Sequence, residues 1–214
     1  MSEERKNRLA QRQAARIEGL KMLNEDTHVV HDFVTEEEAQ TLIDWANSVK
    51  DQVKIKSRLK SDDAPGERRA EFIGNLPDAP MPLITEIMAR AATKFGIEWF
   101  AESPYRPRIV FHSVGADTRE HVDPHGGVNA KHHMARFGED NEWRCDQHYK
   151  GNLVLVAPDD GGEFYLIDKP QGLKARSIIG FWGGIPHSVS RVEAGERILL
   201  TFGWCKNIEE PTGE

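Results

Sequence analysis

Three short stretches of the chain carry side chains that can do chemistry together. His121-Val122-Asp123 sets an imidazole and a carboxylate two residues apart. In an extended segment, residues i and i+2 point to the same side, so both groups can reach one ion. His187 follows Gly183-Gly184-Ile185-Pro186 at the start of a late β-type run and offers a third donor. Two histidines and one carboxylate on one face of an ion leave the opposite coordination positions open. That facial arrangement suits iron(II) and oxygen chemistry. Ten residues beyond His187 stands Arg197. Its guanidinium is a planar fork that matches a carboxylate, so an acid held there by one end could place its other end on the metal.

Each of these residues also has a plainer reading. A His-x-Asp pair arises by chance, a lone strand-end histidine is more often not a ligand, and a lone strand arginine is more often solvated. Zinc competes for any His/Asp cluster, although the chain has no Cys-x-x-Cys and an open site beside an arginine is atypical of structural zinc. His121 and His125 have the four-residue spacing of a helical metalloprotease site. However, Pro124, Gly126 and Gly127 oppose a helix there, and no Glu follows His121. No Gly-x-Ser-x-Gly elbow is present, and Cys145 and Cys205 have no evident base. Two cysteines cannot build a disulfide framework and are read as reduced structural thiols.

The elements that must position these groups change character along the chain. Residues 2–22 are rich in Ala, Arg, Gln, Glu and Leu, which favours a helix. His28-Val29-Val30-His31-Asp32-Phe33-Val34 reads as a short strand. Thr35 and Glu38 then form a capping-box pattern that opens a helix running to about Val49, with Ala39, Leu42, Ile43 and Ala46 on one face. A polar loop is expected at residues 60–65. Pro82 is acceptable in a first turn, and Leu83, Ile84, Ile87, Met88 and Ala91 mark a second amphipathic helix. From residue 106 the period becomes strand-like: RIVFHSV, NLVLVAP, GEFYLID, RSIIGFW, HSVSRV and RILLTFGW are short β-branched or aromatic runs bounded by Gly, Pro and Asp. Glu193-Ala194-Gly195-Glu196 reads as a hairpin turn joining the last two. In RILLTFGW, Ile198, Leu200, Phe202 and Trp204 share the apolar face. Arg197, Leu199, Thr201 and Gly203 share the other, which directs Arg197 toward a cavity or solvent. The 28 residues between Asp123 and Asn152 are polar and rich in Gly and His, too long for an ordinary connection.

Bulk properties bound the rest. The 214 residues suit one domain over residues 23–214 with a helical extension at 1–22. No apolar run approaches the roughly 20 residues of a bilayer span. The charged N-terminus lacks the apolar core of a secretory signal, and a cytoplasmic location is expected. A formal net charge of −7 disfavours a nucleic-acid partner.

Taken together, four ordered segments resemble the iron(II)- and 2-oxoglutarate-dependent dioxygenases, specifically the prolyl-4-hydroxylase-like branch. HVVHDFVTEEEAQTLIDWA is similar to the opening strand and Phe-x-x-x-Glu-Glu helix of that branch. FHSVGADTREHVD resembles its aromatic-x-x-Gly segment leading into His-x-Asp. NLVLVAPDDGGEFYLI is similar to its strand, acidic turn, Gly-Gly-Glu and strand hairpin. GFWGGIPHSVSRVEAGERILLTFGW resembles its distal His, Val, Gly-x-Arg and terminal Trp segment.

The resemblance implies an α+β chain with a double-stranded β-helix core, a jelly-roll relative of the cupins, and N-terminal helices packed on one sheet. It implies iron(II) held by His121, Asp123 and His187, with dioxygen as oxidant. It also implies 2-oxoglutarate chelating the iron and pairing its far carboxylate with Arg197, with Thr201 on the same strand face. His112 stands where this branch commonly carries a tyrosine that bonds the far carboxylate. Either it substitutes as donor or that contact is lost. Arg197 in place of a lysine resembles the bacterial relatives rather than the animal enzymes. Asp123 implies hydroxylation, because related halogenases carry a small residue there.

The 124–151 segment carries Arg136, Trp143, Arg144, His148 and Tyr149. It is expected to form a substrate lid, with a surface loop as the alternative. Such a lid suits a small acidic metabolite or amino acid. A peptidyl proline is the alternative substrate, and a non-catalytic ligand-binding jelly roll the alternative class.

Overall fold

The computed structural model describes residues 27–51, 55–56, 68–73, 76, 78–97, 107–123, 135–137, 143–145, 148–205 and 208–209. The helix expected at 2–22 and the loop expected at 60–65 lie outside the described residues.

Two helices form where the sequence placed them. Helix α1 (Glu36–Val49) begins at Thr35, whose hydroxyl accepts the Glu38 N–H at 3.1 Å while the Glu38 carboxylate accepts the Thr35 N–H at 2.8 Å. This reciprocal cap satisfies two donors that the first turn would otherwise leave open. Helix α2 (Met81–Phe95) carries proline in its first turn and stops at Gly96, whose φ of 65° is left-handed. The two helices are clamped together by Arg90, which donates to both oxygens of Glu38 at 2.9 and 3.0 Å. That fork lowers the Glu38 pKa below the usual carboxylate range. The buried face of α1 also includes Trp45, which the periodicity reading passed over, while Ile43 is only half-buried.

The strands form two main sheets. The larger runs in the order β1 (His28–Val30), β13 (Ile178–Trp182), β9 (His148–Val156), β16 (Arg197–Cys205), β5 (Arg108–His112), β4 (Glu71–Ile73), β2 (Ile55–Lys56). The smaller runs β12 (Lys169–Pro170), β11 (Phe164–Leu166), β14 (His187–Val189), β6 (Ala116–His121), β3 (Arg68–Arg69). A two-stranded piece pairs β10 (Asp160–Gly161) with β15 (Val192–Ala194). A three-stranded piece orders β17 (Ile208–Glu209), β8 (Trp143–Cys145), β7 (Ala135–Phe137). Pairing is antiparallel throughout except between β3 and β6. Among the described residues, no helix is long and apolar enough to cross a membrane.

Each main sheet has a core-facing side, and residues directly opposite across a ladder share a face. On one face of the larger sheet, Trp204 lies opposite Tyr149, Phe202 opposite Gly151 and Leu200 opposite Leu153. This is the face the helices cover: Phe95 of α2 meets Tyr149 and Trp204 at ring distances of 5.8 and 6.2 Å. Gly151 and Gly180 make room for those rings, since a Cβ on Gly151 would sit 2.5 Å from Phe202 and one on Gly180 2.8 Å from Phe95. The opposite face looks onto the smaller sheet, where Phe181 meets Phe164 and His187 at 5.4 and 5.0 Å.

Two expected hairpins are corrected. The turn at 193–196 exists, with Gly195 at φ 76°. However, β14 and β15 pair with β6, β11 and β10, while β16 pairs with β5 and β9, so the chain crosses between sheets there. The segment at 157–163 likewise carries the chain from β9 in the larger sheet to β11 in the smaller one. Local turn chemistry is the same for a hairpin and a sheet-switching corner, so the sequence could not separate them. The first strand is also shorter than expected. It ends at Val30, because Asp32 takes a φ of 50° in a turn pinned by Arg176 at 2.7 Å.

Candidate active site

The site lies between the two sheets, and a backbone irregularity assembles it. On β6, Thr118 pairs with Val189 and His121 pairs with His187. Between these pairs two residues of β6, Arg119 and Glu120, oppose one of β14, Ser188, which is a bulge of one extra residue. Without it, period-two alternation would turn His121 away from the face Thr118 occupies. With it, His121 faces His187 directly, ring centres 4.2 Å apart. Two residues further on, the Asp123 N–H donates to the Gly183 carbonyl at 2.9 Å, tying the carboxylate-bearing segment to the turn before His187. Candidate ligand atoms of His121, Asp123 and His187 all fall within 4.8 Å of one another.

The imidazoles are oriented as ligands need to be. Nδ1 of His187 lies 2.8 Å from the Ile185 carbonyl, and Nδ1 of His121 lies 2.9 Å from the Arg119 carbonyl. A carbonyl only accepts, so each Nδ1 carries a hydrogen and leaves Nε2 as the atom turned toward the cluster, the orientation that outer hydrogen bonds impose on metal-binding histidines. Burial lowers the His187 pKa to about 3, with the charges of His121 and Lys150 adding to the effect and Asp123 opposing it. The ring is therefore neutral at physiological pH and available as a donor. His121 is exposed and His187 is buried, so the cluster sits at a mouth rather than in a sealed core.

Deeper on the same side lies Arg197. It is 2% exposed, and neither terminal nitrogen of its guanidinium has a hydrogen-bond partner among the described residues. Directly opposite on β5 is His112, also 2% exposed, whose Nε2 lies 2.9 Å from the Thr118 hydroxyl and whose Nδ1 has no partner among the described residues. Burial, helped by the Arg197 charge, lowers the His112 pKa to about 3. Burial also brings Arg197 down to about 10, partly offset by Glu163. A buried guanidinium without an acceptor costs several kcal/mol unless something supplies one. An incoming carboxylate would meet that need. It could also accept from His112 Nδ1 if the Thr118 hydroxyl donates to Nε2. Thr201 is half-buried on the same strand face as Arg197 and lies opposite Asn152.

Two residues of this face escaped the sequence reading. Lys150 lies opposite Gly203 and Phe181, and its Nζ is 2.9 Å from Asp123 Oδ2. Asn152 is 6% exposed, and its Oδ1 has no partner among the described residues. Alternation carried backwards from Val154 would have found both, but the strand was expected to begin at Asn152 rather than His148.

No protein-family model matches the sequence, and no curated protein matches it. Solved structures do. A viral collagen prolyl hydroxylase from Paramecium Bursaria Chlorella virus-1, in complex with 2-oxoglutarate, is 16% identical with a TM-score of 0.57, over 84% of this chain and 95% of its own. A Pseudomonas putida prolyl-4-hydroxylase is 18% identical with a TM-score of 0.56, over 91% and 98%. HygX from Streptomyces hygroscopicus, with nickel, 2-oxoglutarate and hygromycin B bound, is 13% identical with a TM-score of 0.53, over 85% and 83%. The fold is the jelly-roll fold of the 2-oxoglutarate oxygenases.

Within this fold, the described residues of the 124–151 segment divide. Arg136 lies in β7, Trp143 and Arg144 in β8, and His148 opens β9. The Tyr149 expectation is corrected. Its ring is 1% exposed and packs on Phe95, Trp182 and Trp204 on the helix-covered face, opposite in direction to Lys150. A tyrosine beside a polar run reads as a lid residue until the strand it belongs to is seen.

Proposed function

We propose that this chain is an iron(II)- and 2-oxoglutarate-dependent oxygenase that hydroxylates a C–H bond of a small acidic molecule. The observation that carries the reading is the buried guanidinium of Arg197, whose two terminal nitrogens have no partner among the described residues, between the same two sheets as the His121, Asp123 and His187 donors. The residues fit the groups. Two imidazoles and one carboxylate form the open donor set that iron(II) oxygenases use. A dicarboxylate gives Arg197 its missing acceptor.

In this reading His121, Asp123 and His187 hold the metal, and Arg197, with His112 and Thr201 beside it, holds the far carboxylate of 2-oxoglutarate. When bound, iron(II) supplies dioxygen activation coupled to decarboxylation of 2-oxoglutarate to succinate and carbon dioxide. The protein's part is orientation and exclusion of water. Arg197 fixes one end of the co-substrate, the β6 bulge aims His121, and Phe181 and Phe164 form apolar walls. We take the two sheets as the halves of a double-stranded β-helix, with residues 23–214 as one domain. Arg136, Trp143, Arg144 and His148 remain candidates for covering the substrate.

A peptidyl-prolyl substrate is the second reading, favoured by the likeness to two prolyl hydroxylases. The small-molecule reading draws on Lys150 as a cation beside the donors and on HygX, whose structure holds hygromycin B. The test is succinate formation from 2-oxoglutarate with iron(II), ascorbate and air, with free amino acids and small acids in one series and proline-containing peptides in another. Stimulation by one series identifies the substrate class. Iron-loaded protein that forms no succinate with any addition would favour a non-catalytic binding role.

A further inference from the structure

Among the described residues, the Lys150 charge has one ion-pair partner to lose. Its ammonium lies 2.9 Å from Asp123 Oδ2, and that oxygen is itself 3.7 Å from His187 Nε2. The Lys150 and Asp123 side chains are 18% and 14% exposed, so water screens the pair only in part. Lys150 therefore competes for an oxygen that the donor cluster needs. A divalent ion seated among His121, Asp123 and His187 draws that carboxylate to itself and repels the ammonium. The described neighbours on the Lys150 face, namely Phe181, Gly203, Asn152 and Thr201, are apolar or neutral and supply no replacement anion. A partly buried ammonium left in that position favours an incoming anion.

Resting on the metal-site reading above, we propose that Lys150 is a carboxylate receptor that is masked by Asp123 and unmasked when a metal ion binds. Its ligand is a carboxylate next to the metal. That group belongs either to 2-oxoglutarate, at the end away from Arg197, or to the primary substrate. The ion pair thus couples the two events: metal binding opens Lys150, and an anion bound there lessens the repulsion on the metal.

The experiment uses the full chain as wild type, Lys150→Met and Lys150→Arg, with manganese(II) as the metal. Manganese affinity is read by calorimetry, and 2-oxoglutarate affinity is then read on manganese-loaded protein. Acetate is the third probe, with its relaxation followed by NMR at saturating 2-oxoglutarate. Lys150→Met is expected to bind manganese about tenfold tighter in the absence of any acid, while Lys150→Arg stays near wild type. A tenfold weaker 2-oxoglutarate affinity in Lys150→Met supports the proposal with the co-substrate as source. Unchanged 2-oxoglutarate affinity with loss of saturable acetate relaxation supports it with the primary substrate as source. If Lys150→Met leaves both carboxylates unaffected, or binds manganese no more tightly than wild type, the proposal is overturned while the metal site stands. If wild type takes up no manganese, the metal site and the proposal fall together. Should Lys150→Met not fold, Lys150→Gln replaces it with the same expectations.

Discussion

The two faces of the larger sheet are built from the same strands by opposite rules. On the helix-covered face Tyr149 and Trp204 pack on Phe95, Phe202, Leu200 and Leu153 are buried beside them, and the rings fill the space above Gly151 and Gly180. On the other face Arg197, His112 and Asn152 are buried with polar atoms that have no partner among the described residues, and Lys150 leans on the Asp123 carboxylate just beyond β6. The first face has the close packing of a protein interior, where added volume is punished. The second carries buried polar atoms with no partner among the described residues, the kind of group a bound ligand can complete. One surface holds the fold together, and on the proposed function the other is left open for binding.

Breaking the donor cluster should have the largest effect on the binding face. Asp123→Gly is expected to abolish succinate formation and manganese uptake while leaving the far-UV circular dichroism unchanged, and full turnover in that variant would refute the ligand assignment. Arg197→Met should separate binding from stability. Its 2-oxoglutarate affinity is expected to fall by about 2–5 kcal/mol. The ligand-free protein should be as stable as wild type or more so, because a buried unpaired charge has gone. Calorimetry and denaturant titration read the two quantities.

Acid sharpens the contrast further. Burial holds His112 and His187 near 3, so the folded chain keeps both neutral where the unfolded chain takes up protons. Stability should be complete above about pH 6.5 and decline toward pH 3, at up to about 1.4 kcal/mol per pH unit for each histidine. His112→Asn should flatten that slope in urea titrations across the range, and an unchanged slope would mean His112 is not held neutral.

On the packed face, Gly151→Ala should cost about 1–3 kcal/mol by driving a methyl into Phe202, with manganese affinity unchanged. The smallest effect belongs to the cap of α1, where Thr35→Ala should cost about 1 kcal/mol in thermal or urea unfolding and nothing in binding.

What the sequence displayed and what it hid follow the same division. The helices were legible because capping and 3.6-residue periodicity are local, as Thr35, Glu38 and the Ile84–Ile87–Met88 stripe illustrate. The alternation in RILLTFGW correctly set Arg197 apart from Trp204. The bulge that turns His121 inward was not legible, because it is a relation between β6 and a partner strand nearly seventy residues away. The corner at Gly195 reads as a hairpin for the same reason. Lys150 and Tyr149 were hidden by a strand boundary: adjacent residues on β9 point to opposite faces, so a start placed four residues late removed one from the site and misassigned the other.

The most direct test is 2-oxoglutarate binding to the metal-free and the manganese-loaded protein, measured by calorimetry side by side. Tight one-to-one binding that needs the metal and is lost in Arg197→Met is the expected result. Equal binding with and without manganese, or binding indifferent to Arg197, would contradict the idea that the incomplete face is a joint site for a metal and a dicarboxylate.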